Sequence, residues 1–304
     1  MPRSRVLTGR IDARDRAHQR HRRDRKTRES SDPHDLLFAW LEGSSLVGID
    51  AEELERLDLD GYACDTGSID LPTSERLRHL AIHLEHAFPD SPEALDRIYA
   101  EAARLNPLEP TVWHSRGVTA KYCAEVATKT KVVERCKKRS LDCLLMADEL
   151  LPNDPDTLYS LGLWQFDYGT MDEALGLFER VIALQPKRAY AHLYHAYALH
   201  DQKRWAEAVV AYSGVPLETL TGAKAFIVDV VLEDIAYCKL RAHDRAGALE
   251  DFTRLLDRLE TEPHRAEVLS LHFLHDACLG PFREELRDRY KTVATKAGLQ
   301  GSSR

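Results

Sequence analysis

The sequence predicts an all-α fold made of repeated helical hairpins, and three kinds of recurring residue indicate it. Small residues, aromatic residues and unit-closing prolines recur at a fixed spacing of 34 positions in the middle of the chain. The recurring pairs are Gly162 and Ala196, Ala174 and Ala208, Phe178 and Tyr212, and Pro152 and Pro186. A period of this length is typical of stacked helical hairpins, because each is too small to bury its own apolar face and its neighbours complete the core.

Composition is consistent with this array. The chain has 304 residues, of which 43% are hydrophobic, enough for a substantial core. It has no apolar run of the ~18 residues that a membrane-spanning helix needs, and no apolar segment follows its N-terminal arginines. Its six cysteines form no CxxC pair, so we interpret them as structural thiols in a reducing compartment. These features predict a soluble, cytoplasmic protein without a metal or other cofactor.

Charge is divided unevenly along the chain. Residues 1–30 contain eleven cations and four acids, a net charge of +7, whereas the whole chain has a net charge of −8. The rest of the chain therefore carries −15. The basic segment is almost free of aromatic residues and of apolar periodicity, so we expect it to be a disordered arm.

Four regions follow from these patterns. We predict a disordered basic arm over residues 1–32 and a short helical N-terminal extension over residues 33–73. Helical repeats occupy residues 74–262, and capping helices with a short tail occupy residues 263–304. The total is about five to six hairpins.

The repeats vary in length. A degenerate first hairpin begins near Ser74 and ends near Pro107. Pro107 to Pro152 is 45 residues, which exceeds the period by 11, so both helices of the second hairpin should be longer than the norm. After the two regular units, residues 213–222 lengthen the connection to a fifth hairpin, which runs from about Ala223 to Glu260.

The best repeat resembles the tetratricopeptide repeat (TPR) family. Its matching residues are Leu158, Leu161, Gly162, Gly169, Ala174, Phe178, Leu184 and Pro186. The segment from Trp205 to Tyr212 resembles the second helix of the same hairpin. Gln165 departs from the family pattern, which usually has an aromatic residue there, and Lys203 replaces a common turn glycine. The resemblance implies a right-handed superhelix whose inner wall is formed by the first helix of each hairpin.

The resemblance also implies a binding role, since the family usually holds peptides or short helices of other proteins along this inner wall. The corresponding wall positions form a partner-binding groove in this sequence, with His114 and Val118 extending it toward the N-terminus. The groove residues are Tyr159, Leu163, Phe166, Tyr190, Leu193, Tyr197, Glu233 and Tyr237. Such a surface suits an apolar or helical ligand.

Two further readings concern the same wall. Some family members hold a peptide carboxylate with a clamp of fixed cations, and the matching positions here lack them: they are His114, Val118, Ser160, Tyr190 and Tyr194. We therefore do not expect chaperone-tail binding of that type. Alternatively, the tyrosines pack between repeats, or the wall holds the protein's own residues 34–72 and leaves no open groove.

One histidine triad, two histidine pairs and one acidic turn are candidate metal or catalytic sites. His79, His83 and His86 share one helical face but lack the glutamate of an HExxH motif, so we interpret them as a solvated or packing face. The same holds for two pairs spaced by three residues, His192 with His195 and His272 with His275. The segment from Asp58 to Gly61 begins like a calcium loop but lacks further ligands.

Together these observations predict a protein-protein interaction scaffold or adaptor and not an enzyme. No phosphate loop or nucleophile elbow is present, and the residues outside the repeats are too few for a conventional catalytic domain. One alternative is a nucleic-acid-associated protein that acts through the basic arm, although that arm has no aromatic residue for base stacking. The other is a self-associating structural repeat protein.

Overall fold

The computed structural model describes residues 77–78, 81, 92–221, 226–262 and 283–296. Within these ranges the regular structure is helical, without a β-strand. None of the described helices is long and apolar enough to cross a membrane. The predicted arm, the extension over residues 33–73, most of the first helix of the degenerate hairpin and the helix predicted at 264–278 lie outside the described residues.

The described helices fall into two compact units, which meet in sequence between Gly169 and Thr170. Among the described residues, the first unit includes α1 (Pro92–Leu105), α2 (Pro110–Val126), α3 (Thr130–Leu150) and α4 (Pro155–Tyr168). The described part of the second unit includes α5 (Met171–Leu184), α6 (Ala189–Asp201), α7 (Trp205–Ser213), α8 (Phe226–Arg241), α9 (Arg245–Thr261) and α10 (Arg283–Lys296). A short 3-10 helix, Leu217–Thr219, lies in the long connection before α8.

Within each unit, helices adjacent in sequence pack against one another. In the first unit α2 packs against α1 and α3, and α4 packs against α3 and α2. In the second unit the pairs run in chain order from α5 with α6 to α9 with α10. The second predicted hairpin, α2 and α3, has helices of 17 and 21 residues, which confirms the expected lengthening over the 14 residues of α4 and of α5.

Short polar side chains at the helix starts explain several boundaries. The Asp154 carboxylate accepts a hydrogen bond from the backbone N–H of Thr157 at 2.8 Å, and Pro155 occupies the first helical position of α4. Thr170 caps α5 and Asp244 caps α9 in the same way. The cap satisfies an N–H group that would otherwise have no partner inside the helix.

The predicted small residues are buried. Ala174, Ala196 and Ala208 are fully buried in the second unit, and Phe178 and Tyr212 are buried with them. In the first unit, a Cβ added to Gly117 of α2 would lie 2.7 Å from Cγ of Leu144 on α3. A larger side chain at such a position would separate the helices.

A buried ionic cluster connects three helices of the first unit. Asp96 on α1 is 7% exposed, and it accepts a hydrogen bond from Nε of Arg116 on α2 at 3.0 Å. Arg139 on α3 donates to the other oxygen of the same carboxylate. A buried carboxylate needs such partners, because removal from water is costly for an unpaired charge.

The turns between paired helices differ in how they use the backbone. Lys203 and His243, at equivalent positions before α7 and α9, have φ angles of 61° and 68°, the left-handed region that favours glycine. Gly169, at the equivalent position before α5, has a φ of −108°, so it is not needed for a left-handed turn. A Cβ there would overlap the end of the flexible Gln165 side chain and lie 3.1 Å from the Gln165 Cα.

Replacing Lys203 by glycine should stabilise the fold. We expect Lys203→Gly to raise the free energy of unfolding by about 0.5–1 kcal/mol, because glycine adopts the left-handed conformation without steric cost. Urea unfolding monitored by circular dichroism measures the change. Lys187→Gly is the control, since Lys187 is exposed and does not have a positive φ. Equal or lower stability of Lys203→Gly relative to wild type would contradict the expectation.

Candidate functional site

The eight predicted groove residues lie on α4, α6 and α8, and they divide by exposure. Four are partly exposed: Tyr159, Leu163, Tyr190 and Tyr237. The other four have at most 1% of their surface exposed: Phe166, Leu193, Tyr197 and Glu233. The expectation that these four side chains face an open groove is therefore corrected, since a buried side chain offers no surface to a ligand.

Aromatic packing accounts for the burial of Tyr197. Its ring makes edge contacts with Tyr194 and Tyr212, at centroid distances of 5.7 and 5.9 Å. Tyr194 in turn stacks on Phe178 at 5.9 Å. These rings join α5, α6 and α7. Such ring contacts stabilise the fold by more than the burial of their surface area alone would. The alternative that the tyrosines pack between helices thus describes Tyr194 and Tyr197.

A second aromatic cluster surrounds Tyr237 on α8. Its ring centroid lies 5.8 Å from that of His200 on α6 and 6.0 Å from that of Trp205 on α7. The guanidinium of Arg241 lies over the Trp205 ring at 5.6 Å. Tyr237 therefore contributes to packing among three helices while part of its surface remains exposed.

In the first unit, α2 and α4 form a shared face with two polar bridges. His114 Nε2 on α2 lies 3.0 Å from Ser160 Oγ on α4. Farther along the helices, Lys121 Nζ lies 2.8 Å from Asp167 Oδ2. The bridges are seven residues apart on each helix, or about 10.5 Å at the helical rise of ~1.5 Å per residue. Two turns of each helix are therefore held side by side.

Val118 and Leu163 lie between these bridges in sequence, and Tyr159 directly precedes Ser160. Val118 on α2 is 37% exposed, and Leu163 and Tyr159 on α4 are partly exposed. We call this surface the α2–α4 face and define it by Val118, Tyr159 and Leu163 with the His114–Ser160 and Lys121–Asp167 bridges. An exposed apolar strip with polar groups at its ends is a common composition for a protein-binding surface.

Lys121 is held by two carboxylates. Besides Asp167, its ammonium lies 2.5 Å from Oε1 of Glu125, and the Tyr168 ring lies 5.7 Å away. Burial lowers the pKa of Lys121, but Asp167 and Glu125 together outweigh that effect and raise the pKa above its usual value. The ammonium is thus charged at neutral pH, and the two carboxylates more than balance its charge.

The His114–Ser160 pair is a structural bridge. A serine nucleophile needs N–H donors for the oxyanion that forms when it attacks a carbonyl group. Ser160 lies inside α4, where the N–H groups that follow it bond to carbonyls of the preceding turn. These N–H groups cannot form an oxyanion hole, and the pair instead joins two helices.

The two histidines of the 192 and 195 pair contact different acceptors and do not converge on one site. His192 Nε2 contacts the Pro186 carbonyl at 2.8 Å, and His195 Nε2 contacts Glu179 Oε1 at 3.4 Å. Burial lowers the pKa of His195, and Glu179 only partly opposes that effect. Across the described ranges, no group of three or more His, Cys, Asp or Glu residues could hold a metal ion. The triad at 79, 83 and 86, the pair at 272 and 275, and the turn at 58–61 lie outside those ranges.

Sequence reasoning did not single out Lys121 and Asp167. Each lies seven residues after a position that was considered for the wall, His114 on α2 and Ser160 on α4. Seven residues complete nearly two helical turns, so the second position of each pair returns to the same face. The signal was therefore present in the spacing of a lysine and an aspartate on consecutive inner helices.

Comparison with known proteins gives matches to structures alone. No protein-family model matches the chain, and no curated protein matches it. The structure of MamA 41-end from Desulfovibrio magneticus RS-1 matches with a TM-score of 0.50 and 18% identity, covering 60% of this chain and 93% of that chain. A MamA RS-1 ArsTM double mutant matches with a TM-score of 0.51 and 17% identity, covering 62% of this chain and 96% of that chain.

A third structure, the P58(IPK) TPR domain, matches with a TM-score of 0.29 and 13% identity, covering 84% of this chain and 72% of that chain. The two MamA matches establish the fold class. The protein is all-α with a tetratricopeptide-like helical-hairpin solenoid fold, which confirms the expectation from the 34-residue period.

Replacing Lys121 tests the bridge between α2 and α4. We expect Lys121→Met to lower the free energy of unfolding by about 1–2 kcal/mol, because Asp167 and Glu125 lose their shared cation. The raised pKa of Lys121 means that its contribution is present below the unfolded-state pKa of 10.5 and is lost as the pH rises through the folded-state value. The difference from wild type should therefore be constant from about pH 6 to about pH 9 and shrink at higher pH.

The control for this measurement is Lys291→Met on α10. Lys291 is 68% exposed and lies 3.6 Å from Asp288, an exposed pair that contributes little. Urea unfolding across the pH range measures both variants. If Lys291→Met lowers the free energy of unfolding as much as Lys121→Met does, the assignment of Lys121 as a structural bridge is refuted.

Proposed function

We propose that the protein is an interaction scaffold or adaptor that binds a peptide or a short helix of a partner protein on the α2–α4 face. The observation that carries this proposal is the exposed apolar strip of Val118, Leu163 and Tyr159, placed on two inner helices that polar bridges hold together. Rigid helices make a preorganised surface, so less conformational freedom is lost on binding.

The charges of this face suit an apolar ligand segment. Lys121 is the fixed cation in the bridges, and the two carboxylates that pair with it exceed its charge by one. A peptide carboxylate would therefore find no free cation among these bridge residues. A ligand that places apolar side chains over Val118 and Leu163, with hydrogen bonds to the phenol of Tyr159 at its edge, fits this arrangement.

In the second unit, Tyr190 and Tyr237 remain candidate contact residues. Both are partly exposed, whereas Leu193, Tyr197 and Glu233 lie buried beside them in sequence. We propose that the buried residues support the helices and that ligand contacts in this unit are confined to the exposed parts of the two tyrosines.

We further propose that the protein acts in the cytoplasm and by binding, not by catalysis. Support comes from Cys123, Cys136, Cys143 and Cys238, which are free and buried, as is usual in a reducing compartment. Burial raises the pKa of the Cys143 thiol to about 11, which keeps it protonated and unreactive at neutral pH.

A charge placed on the α2–α4 face tests the proposal. We expect Val118→Glu and Tyr159→Ala, made in the full chain, each to reduce capture of specific partners from a cell lysate by about tenfold or more, as for central interface residues. Quantitative mass spectrometry after pull-down measures the captured proteins. Circular dichroism and thermal unfolding confirm that both variants remain folded.

Val210→Glu is the matched control, because Val210 on α7 is 73% exposed and lies outside this face. It should keep the wild-type set of partners. If folded Val118→Glu and Tyr159→Ala also keep that set, the α2–α4 face is a packing surface, and the proposed function fails.

A further inference from the structure

The outer side of α3 carries a row of exposed cations. Lys131, Arg135 and Lys138 recur at spacings of four and three residues, so they share one side of the helix. All three are exposed, and within the described ranges none of them forms an ion pair. The neighbouring Lys137 and Arg139 differ, since they pair with Glu134 and Asp96. We call Lys131, Arg135 and Lys138 the α3 stripe.

The stripe faces away from the core of its unit. The buried residues of α3 lie on the opposite side of the helix: Cys136, Ser140, Cys143, Leu144 and Ala147. The stripe is therefore a surface feature, and its cations are not required to balance buried charge. It is also separate from the α2–α4 face, which the inner helices form.

The beginning of α3 adds to the positive potential. Lys129 occupies the N-cap position, no side chain caps the helix there, and the first turn contains no acidic residue. The helix dipole places partial positive charge at this same end. The only acid in the first nine residues of α3 is Glu134, which Lys137 engages at 2.8 Å. An approaching anion thus meets net attraction along this half of the helix.

An apolar patch follows the cations along the helix. Leu145 is 51% exposed and Met146 is 37% exposed, and Leu145 lies seven residues after Lys138. Seven residues bring it about 10.5 Å farther along the same side of α3. Asp142 is an exposed acid between the two parts. The surface therefore changes from basic to apolar over a few turns.

We propose that the α3 stripe binds an acidic segment of a partner protein, with carboxylates on Lys131, Arg135 and Lys138 and an apolar side chain on Leu145 and Met146. The cations are separated along the helix axis by about 6 and 4.5 Å, from four and three residues at ~1.5 Å each. Alternate residues of an extended peptide are ~6.6 Å apart, so acids at every second position differ from these spacings by about 0.6 and 2 Å, which long lysine and arginine side chains can span.

The composition of the stripe favours a protein segment over a nucleic acid. The helix has no aromatic residue on which bases could stack, and Asp142 would repel a phosphate backbone that continued past Lys138. Leu145 and Met146 offer apolar surface that an acidic peptide with a hydrophobic residue can cover. The net charge of −15 beyond residue 30 disfavours binding of such a peptide to other surfaces of that region, as distinct from the basic residues 1–30.

Fluorescence anisotropy with a synthetic probe tests this site. The probe is a labelled peptide with three glutamates at alternate positions followed by two leucines, and the protein is the full chain. We expect the triple variant K131Q/R135Q/K138Q to bind the probe about tenfold more weakly than wild type, as the loss of several exposed ion pairs predicts. L145A/M146A should weaken binding of the probe about threefold, since apolar contact area is lost.

The matched control is K187Q/K203Q/K296Q, which removes the same charge from three exposed lysines elsewhere. It should bind the probe as wild type does, and so should Val118→Glu, which separates this site from the proposed function. The stripe proposal is overturned if both triple variants bind the probe equally weakly. It is also overturned if wild type binds a probe with glutamine in place of glutamate as tightly as the original probe, or if wild type does not bind the probe at all. The proposal would also be overturned if a single-stranded oligonucleotide binds wild type more tightly than the peptide probe does, and if L145A/M146A does not change the affinity for that oligonucleotide.

Discussion

Close approach of paired helices is the constraint on which the described structure depends. A helical hairpin of about thirty residues cannot bury an apolar face alone, so its two helices must pack tightly and neighbouring hairpins must cover them. Tight packing requires small residues at the crossings, and Gly117, Ala196, Ala208 and Ala248 are all buried. Large side chains then fill the remaining space, as Phe252 does near Ala248.

This constraint also decides which residues remain available for binding. Tyr197 and Leu193 are used in packing, while Val118 and Leu163 keep part of their surface exposed on helices whose relative position is fixed by polar bridges. Bridging polar groups such as Lys121, which pairs with Asp167 and Glu125, hold that position. The α3 stripe differs because its cations lie opposite the buried side of their helix, where packing does not limit them.

The fold could be predicted from sequence because periodic spacing reports packing directly. Ala174 and Phe178 recur at Ala208 and Tyr212, and all four side chains are buried. The site was harder to predict, because a wall position in the repeat register fixes the direction of a side chain but not the neighbours that cover it. Tyr197 therefore shares the repeat register of Leu163, 34 residues earlier, but not its exposure. Lys121 was missed because its role depends on Asp167, 46 residues away.

The most direct test of the packing constraint compares two glycines by urea unfolding. An added methyl at Gly117 would meet Leu144, whereas nothing lies within 4 Å of a Cβ added at Gly176. We predict that Gly117→Ala lowers the free energy of unfolding by about 1–3 kcal/mol through overpacking. Gly176→Ala should raise it by about 0.5–1 kcal/mol through helix propensity. A Gly117→Ala protein as stable as wild type would contradict the claim that close helix crossings govern this fold.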